Sequence, residues 1–261
     1  MTDLCLPWRL FVTMVFVFCL VSTSFSADFV ILETDSGSLN LVMEGKKEFV
    51  DKKFSPVSTF KIILAWAGLA ENIVATSTRL SCGDKHLPKG LKVIDLQQAM
   101  IFSSNDYFVE IGKKIGLDKV SEYAKNSGLF NPFPAENCFP NGIRSIASGG
   151  NLKVTPRDQH EFMTRIMLGQ IKVFPRVYED LLESMSWPSS DPRVKLFGKT
   201  GSGEGVVWFN GFGSVSGKQK AVTILMKGPV SLRDQAIAKF YSRFGIEWNE
   251  RLLDRLRIAG E

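Results

Sequence analysis

Phe54-Ser55-Pro56-Val57-Ser58-Thr59-Phe60-Lys61-Ile62-Ile63-Leu64-Ala65-Trp66 is the stretch that decides how this 261-residue chain is read. Pro56 suits a first-turn position, and Ile62, Ile63, Trp66 and Leu69 recur at helical spacing. Residues 56–71 are therefore predicted to form a helix apolar enough to be central. Residues three apart share a helix face, so the Lys61 amine can reach the Ser58 hydroxyl. Between Phe60 and Ile62 a charged amine is costly, and a desolvated lysine is neutral enough to take the serine proton. Roughly one Ser-x-x-Lys is expected by chance in a chain of this size, and this is the only one present.

Two further clusters lie downstream. The segment from Asp95 to Gly116 reads as helical around a break at Ser103-Ser104-Asn105, with Asp106 available to cap the second part. Lys199-Thr200-Gly201 falls on a predicted strand, where the glycine lets a carbonyl-bearing ligand approach the edge and Lys199 supplies fixed positive charge. Singly, Ser103 is more often a polar break residue, and Lys-Thr-Gly a strand end. Together, in this order on helix, break and strand, Ser-x-x-Lys, Ser-x-Asn and Lys-Thr-Gly form the motif set of penicilloyl serine transferases.

Around these motifs the pattern is α/β. Val30-Ile31-Leu32 and Leu39-Asn40-Leu41-Val42 flank the turn cluster Asp35-Ser36-Gly37-Ser38, which predicts an opening hairpin. Leu196 to Ser202, Val206 to Val215 and Lys220 to Lys227 read as an antiparallel meander, followed by helix from Arg233 to Phe244 and from Asn249 to Ile258. Thr155-Pro156 starts a helix with Asp158 in its first turn, and residues 128–151 read as a long loop region. Strands at both chain ends with helices between them predict one sheet built from the two ends, with a helical insertion.

Composition excludes several classes. With 44% hydrophobic, 11% aromatic and 23% charged residues the chain is not disordered, collagen-like or a coiled coil. Past residue 27 the apolar runs fall well short of the roughly 20 residues that a spanning helix needs. A net charge of +5 favours an anionic ligand. The positive charges are scattered and no nucleic-acid motif is present, so no nucleic-acid partner is expected. Two histidines, with Cys82 and Cys138 as the cysteines beyond the leader, argue against a metal site and leave a single disulfide open.

Arg9, the apolar stretch Leu10 to Val21 and the small residues Ser22 to Ala27 read as a secretory signal peptide, residues 1–26, preceding a catalytic domain at 27–261. Export to the periplasm or the extracellular space is expected, with no stable membrane insertion after cleavage. The alternative is an uncleaved N-terminal anchor.

The run Phe54 to Ile62, the hairpin before it and Leu96 through Ala99-Met100 to Ile115-Gly116 resemble class D (oxacillinase-type) β-lactamases. So do Phe197-Gly198-Lys199-Thr200-Gly201, Trp208-Phe209 and Leu232-Arg233. The resemblance implies the β-lactamase and penicillin-binding-protein fold, a five-stranded antiparallel sheet flanked by helices with an active-site groove between sheet and helical region. Carried over by position, Ser58 is the acylated nucleophile, Lys61 its general base, and Ser103 relays a proton to the leaving nitrogen. Lys199 with Thr200, assisted by Arg233, holds the substrate carboxylate, and the N–H groups of Ser58 and Ser202 form the oxyanion hole. No cofactor is implied beyond CO2-derived carboxylation of Lys61.

The chain departs from the class D pattern in two places. Asn105 stands where an apolar residue usually shelters the carboxylated lysine. No counterpart of the Tyr-Gly-Asn motif, or of the tryptophan that bonds the lysine carbamate, occurs between Ser127 and Gly150. Three readings remain open at this level: a β-lactamase, a small D,D-peptidase acting on peptidoglycan stem peptides, and a sensor that holds the acyl group. A length near that of a bare catalytic domain favours the first, and Asn105 the second.

Overall fold

The computed structural model describes residues 28–130, 132–134 and 138–258, so the expected leader lies outside the described residues. Its first element is the expected hairpin, β1 (Phe29–Asp35) and β2 (Leu41–Gly45). Chain order then runs through α1 (Lys61–Ala70), the short pair β3 (Leu80–Ser81) and β4 (Val93–Ile94), α2 (Leu96–Ile101), α3 (Asn105–Ile115) and α4 (Leu117–Asn126). After α5 (Pro156–Met167) and α6 (Pro175–Ser184) come β5 (Ser186–Trp187), β6 (Val194–Gly203), β7 (Val206–Val215), β8 (Lys218–Lys227), α7 (Arg233–Ser242) and α8 (Asp254–Ile258).

The main sheet is antiparallel in the order β2-β1-β8-β7-β6-β5, so the two ends of the chain meet where β1 pairs with β8. It has six strands rather than the five implied by the resemblance. The sixth is the two-residue β5, too short for periodicity to reveal, and it is pinned when Trp187 Nε1 donates to Gly198 O at 3.0 Å. Strand residues alternate between faces. Phe209 stacks on Phe240 of α7, with ring centroids 4.0 Å apart. On the other face Thr34 Oγ1 and His160 Nε2 of α5 lie 2.8 Å apart, so helices cover both sides.

Several local expectations are corrected. The helix expected over residues 56–71 is a 3-10 turn, Val57–Phe60, followed by α1, so Ser58 sits in the tight turn and Lys61 opens the α-helix. The cap of α3 is Ser104, whose Oγ accepts from Tyr107 N–H, while Asp106 instead accepts from Gly83 N–H at 2.7 Å. Residues 142–148, inside the expected loop region, form a 3-10 helix. The C-terminal helix expected to Phe244 ends at Ser242, and the stretch from Asn249 onward is a 3-10 turn, Glu250–Leu253, leading into α8. Cys82 and Cys138 are both buried and not joined to each other. The start of α5 matches its reading, with Thr155 and Asp158 forming a reciprocal capping box.

Trp208 ties the sheet to the nucleophile segment. Its indole is fully buried and Nε1 donates to Ser55 O at 3.0 Å. Trp208→Phe keeps much of the apolar bulk but leaves that carbonyl without its donor, so denaturant unfolding should show a loss of about 1–3 kcal/mol.

Candidate active site

The turn carrying Ser58 is strained and held from several sides. Val57 has φ +42°, a region costly for a β-branched residue. Thr59 Oγ1 donates to Pro56 O at 2.6 Å and accepts from Gln159 Nε2 at 2.7 Å, locking the turn to α5. From the sheet side, β6 comes so close that a Cβ on Gly201 would lie 2.9 Å from Val57 Cγ2 and 3.1 Å from Thr59 N. The glycine of Lys-Thr-Gly thus makes room for the nucleophile turn, a use not legible in the sequence, where it was read as clearance for a ligand.

Register explains how the other two residues of that motif divide their surroundings. Lys199 and Gly201 pair with Asn210 and Trp208, on the face toward α5 and the nucleophile turn, whereas Thr200 pairs with Phe209, on the α7 face. Lys199 is fully buried and donates to Ser103 Oγ at 2.9 Å and Thr200 O at 2.8 Å. Arg233, at the start of α7, donates from Nε to Thr200 Oγ1 at 3.3 Å and from Nη2 to Ile101 O at 2.9 Å.

Lys61 is also fully buried, and its amine meets three acceptors: Ser103 O at 2.6 Å, Asn105 Oδ1 at 2.8 Å and Ser103 Oγ at 3.2 Å. Burial lowers its pKa to about 7, with Arg233 pushing the same way and the Asp84 carboxylate opposing. Lys199 is pushed well below the ordinary lysine range, first by burial and then by Lys61 and Arg233. Arg233 is lowered by burial against the opposing pull of Asp234 and Glu250. Ser103 Oγ therefore stands between two buried amines whose charged forms burial disfavours, in a backbone conformation of φ +61°.

Asp84 and His86 were missed because their loop carries no motif; tertiary contact alone brings them here. The Asp84 carboxylate accepts from Ser104 Oγ and from the N–H groups of Asn105 and Asp106, holding the turn that ends in Ser103. His86 Nε2 lies 3.2 Å from Ser103 O, and a carbonyl can only accept, so Nε2 carries the proton.

One cleft of about 490 Å³ collects Ser58, Ser103 and Asn105 on one side and Thr200, Gly201, Ser202 and Arg233 on the other. Lys61 and Lys199 stand behind this lining, linked to it through Ser103. The arrangement suits proton transfer to and from a serine hydroxyl beside the Arg233 guanidinium. Among the described residues no group of three or more His, Cys, Asp or Glu is arranged to hold a metal ion. Gly201→Ala should cost about 1–3 kcal/mol in unfolding free energy, because the added Cβ meets the Thr59 backbone of a turn already strained at Val57.

The chain is similar to known proteins in sequence and in shape. Beta-lactamase OXA-1 of Escherichia coli is 30% identical over 171 residues, with 61% of each chain covered. Regulatory protein BlaR1 of Staphylococcus aureus is 29% identical over 162 residues, covering 58% of this chain and 25% of that protein. The match thus spans about three-fifths of the first curated relative and a quarter of the second. Among solved structures, a class D β-lactamase from Bacillus subtilis superposes with a TM-score of 0.74 at 18% identity, covering 86% of this chain and 94% of that one. The class D β-lactamase YbXI from Nostoc gives 0.71 at 21% identity, covering 88% and 94%. These likenesses show the β-lactamase and penicillin-binding-protein fold. The penicillin binding protein transpeptidase domain model matches residues 28–240, and with that match and the three motifs gathered in one cleft, the chain belongs to that family.

Proposed function

We propose that the protein is an exported serine β-lactamase of class D type that opens the β-lactam ring through an acyl-enzyme on Ser58. The observation that carries this reading is the junction at Ser103 Oγ, within 3.2 Å of Lys61 Nζ and 2.9 Å of Lys199 Nζ, beside the turn that bears Ser58. Ser58 Oγ attacks the ring carbonyl carbon as its proton passes to the neutral Lys61 amine. The C–N bond breaks as Ser103 hands its proton to the ring nitrogen, and a lysine proton restores the Ser103 hydroxyl. The N–H groups of Ser58 and Ser202 hold the oxyanion. Thr200 and Arg233 take the substrate carboxylate, with the Lys199 charge behind them. Water then attacks the ester carbonyl and frees Ser58.

The surroundings of Lys61 favour an unmodified amine in this chain. Its three acceptors match the three N–H groups of an ammonium. A carbamate would instead set its own oxygens against Ser103 O and Asn105 Oδ1. The same Asn105 contact supports a second reading, a penicillin-binding peptidase or sensor in which the ester on Ser58 persists. Export rests on the leader sequence; among the described residues no helix is long and apolar enough to cross a membrane.

Incubation with benzylpenicillin, followed by ring absorbance and intact mass, separates the readings. Catalytic loss of ring absorbance with free enzyme at the end identifies a β-lactamase, and one equivalent of stable adduct identifies the second reading. Ser58→Ala should form no adduct, and adduct on that variant would overturn the assignment of the nucleophile. Added bicarbonate should change turnover little, whereas Asn105→Val should make turnover respond to it.

The acylation rate should depend on pH with a definite sign. Lys61 is protonated below about 7 and a free base above it, so the rate should rise as pH increases through about 7. Burial sets this limb low, Asp84 holds it up and Arg233 pushes it further down. A limb near the ordinary lysine range, measured by stopped-flow acylation, would exclude Lys61 as the base.

A further inference from the structure

The family match ends at residue 240, yet the chain beyond it reaches the cleft. After α7 the backbone turns back across the end of the sheet and places Trp248, Glu250, Leu253 and Arg257 on the cleft lining. The segment is anchored rather than loose. The Trp248 ring packs against Tyr241 and Trp187 at 4.9 and 6.0 Å, and Gln98 Nε2 of α2 donates to Leu256 O at 2.6 Å. Arg257 forms ion pairs with Glu250 and with Asp254, the latter at 3.1 Å.

We infer that residues 248–257 wall off the leaving-group end of the cleft and select β-lactams with a small substituent beyond the ring carboxylate. The inference rests on the proposed function, which fixes the direction in which a substrate lies. In penicillins and cephalosporins alike, the carboxylate sits on the carbon bonded to the leaving nitrogen. Ser103 serves that nitrogen and Thr200 with Arg233 the carboxylate, so whatever projects beyond the carboxylate meets the neighbours of Arg233. Glu250 is one of these, close enough to act on the Arg233 charge. Val230, Trp248 and Leu253 add apolar bulk to the same cleft. A penicillin ends there in a compact ring, whereas a cephalosporin carries its C3 substituent into this wall.

The test compares two cephalosporins with the same acyl side chain, one bearing methyl at C3 and the other 2-phenylvinyl, by kcat/KM from loss of ring absorbance or, where the acyl-enzyme persists, by the rate of adduct formation in intact mass. The full-length protein should be acylated by the phenylvinyl compound about tenfold more slowly, a discrimination of the size that pocket sterics supply. Trp248→Ala and, separately, replacement of the ion pair by Glu250→Ala with Arg257→Ala should each reduce that ratio several-fold. A ratio of two rates cancels any loss common to both substrates, and the second variant leaves the Trp248 packing intact should the first misfold. Equal rates in the unaltered protein, or a ratio that neither variant moves, would overturn the inference. Reaction with benzylpenicillin but with neither cephalosporin would overturn it as well. If none of the three is hydrolysed or labels Ser58, the proposed function itself fails.

Discussion

The close approach of β6 to the turn Val57–Phe60 is the contact on which the site depends. It requires a residue without a side chain at position 201, because any Cβ there would meet Val57 Cγ2 and the Thr59 backbone. The contact holds Val57 at positive φ and sets Ser58 against the edge of the sheet. Trp208 and Gln159 grip the same turn from the sheet and from α5, so its strain is opposed on two sides. What results is a serine on a stiff platform, with mobility left to whatever enters the cleft.

Behind this platform, electrostatics follows from burial. Lys61, Lys199 and Arg233 lie close enough to raise one another's cost of charge, and each is further penalised by loss of water. Asp84 offsets part of this for Lys61 from a loop that also holds the Ser104–Asp106 turn. The carboxylate therefore links the shape of the Ser103 turn to the proton affinity of the amine that faces it. A single loop thus acts on both geometry and charge.

The C-terminal segment brings side chains to the cleft from beyond the stretch that the domain model matches. Its attachment uses aromatic packing on Trp187 and Tyr241, and the polar residues it presents are largely paired with one another. Its side chains share the cleft lining with residues of the three motifs.

The sequence alone was enough for the motif order, the α/β class, the opening hairpin, the closing meander and the helix start at Thr155-Pro156. These depend on neighbours a few residues apart, through periodicity, turn chemistry and capping. It also singled out Ser58, Lys61, Ser103 and Lys199, because residue types of that chemistry recur in that order, while Arg233 entered only through the resemblance to class D β-lactamases. Tertiary structure decided what local pattern cannot encode. The turn at Ser58 became a 3-10 turn because β6 presses on it, and the two-residue β5 exists only through its pairing with β6. Asp84 and His86 reached the site from a loop with no signal of its own, Glu250 reached the cleft on the C-terminal 3-10 turn, and Lys61 found Asn105 across two helices. Contacts between residues distant in the chain depend on how whole elements pack, and packing is a property of the complete core rather than of any window within it.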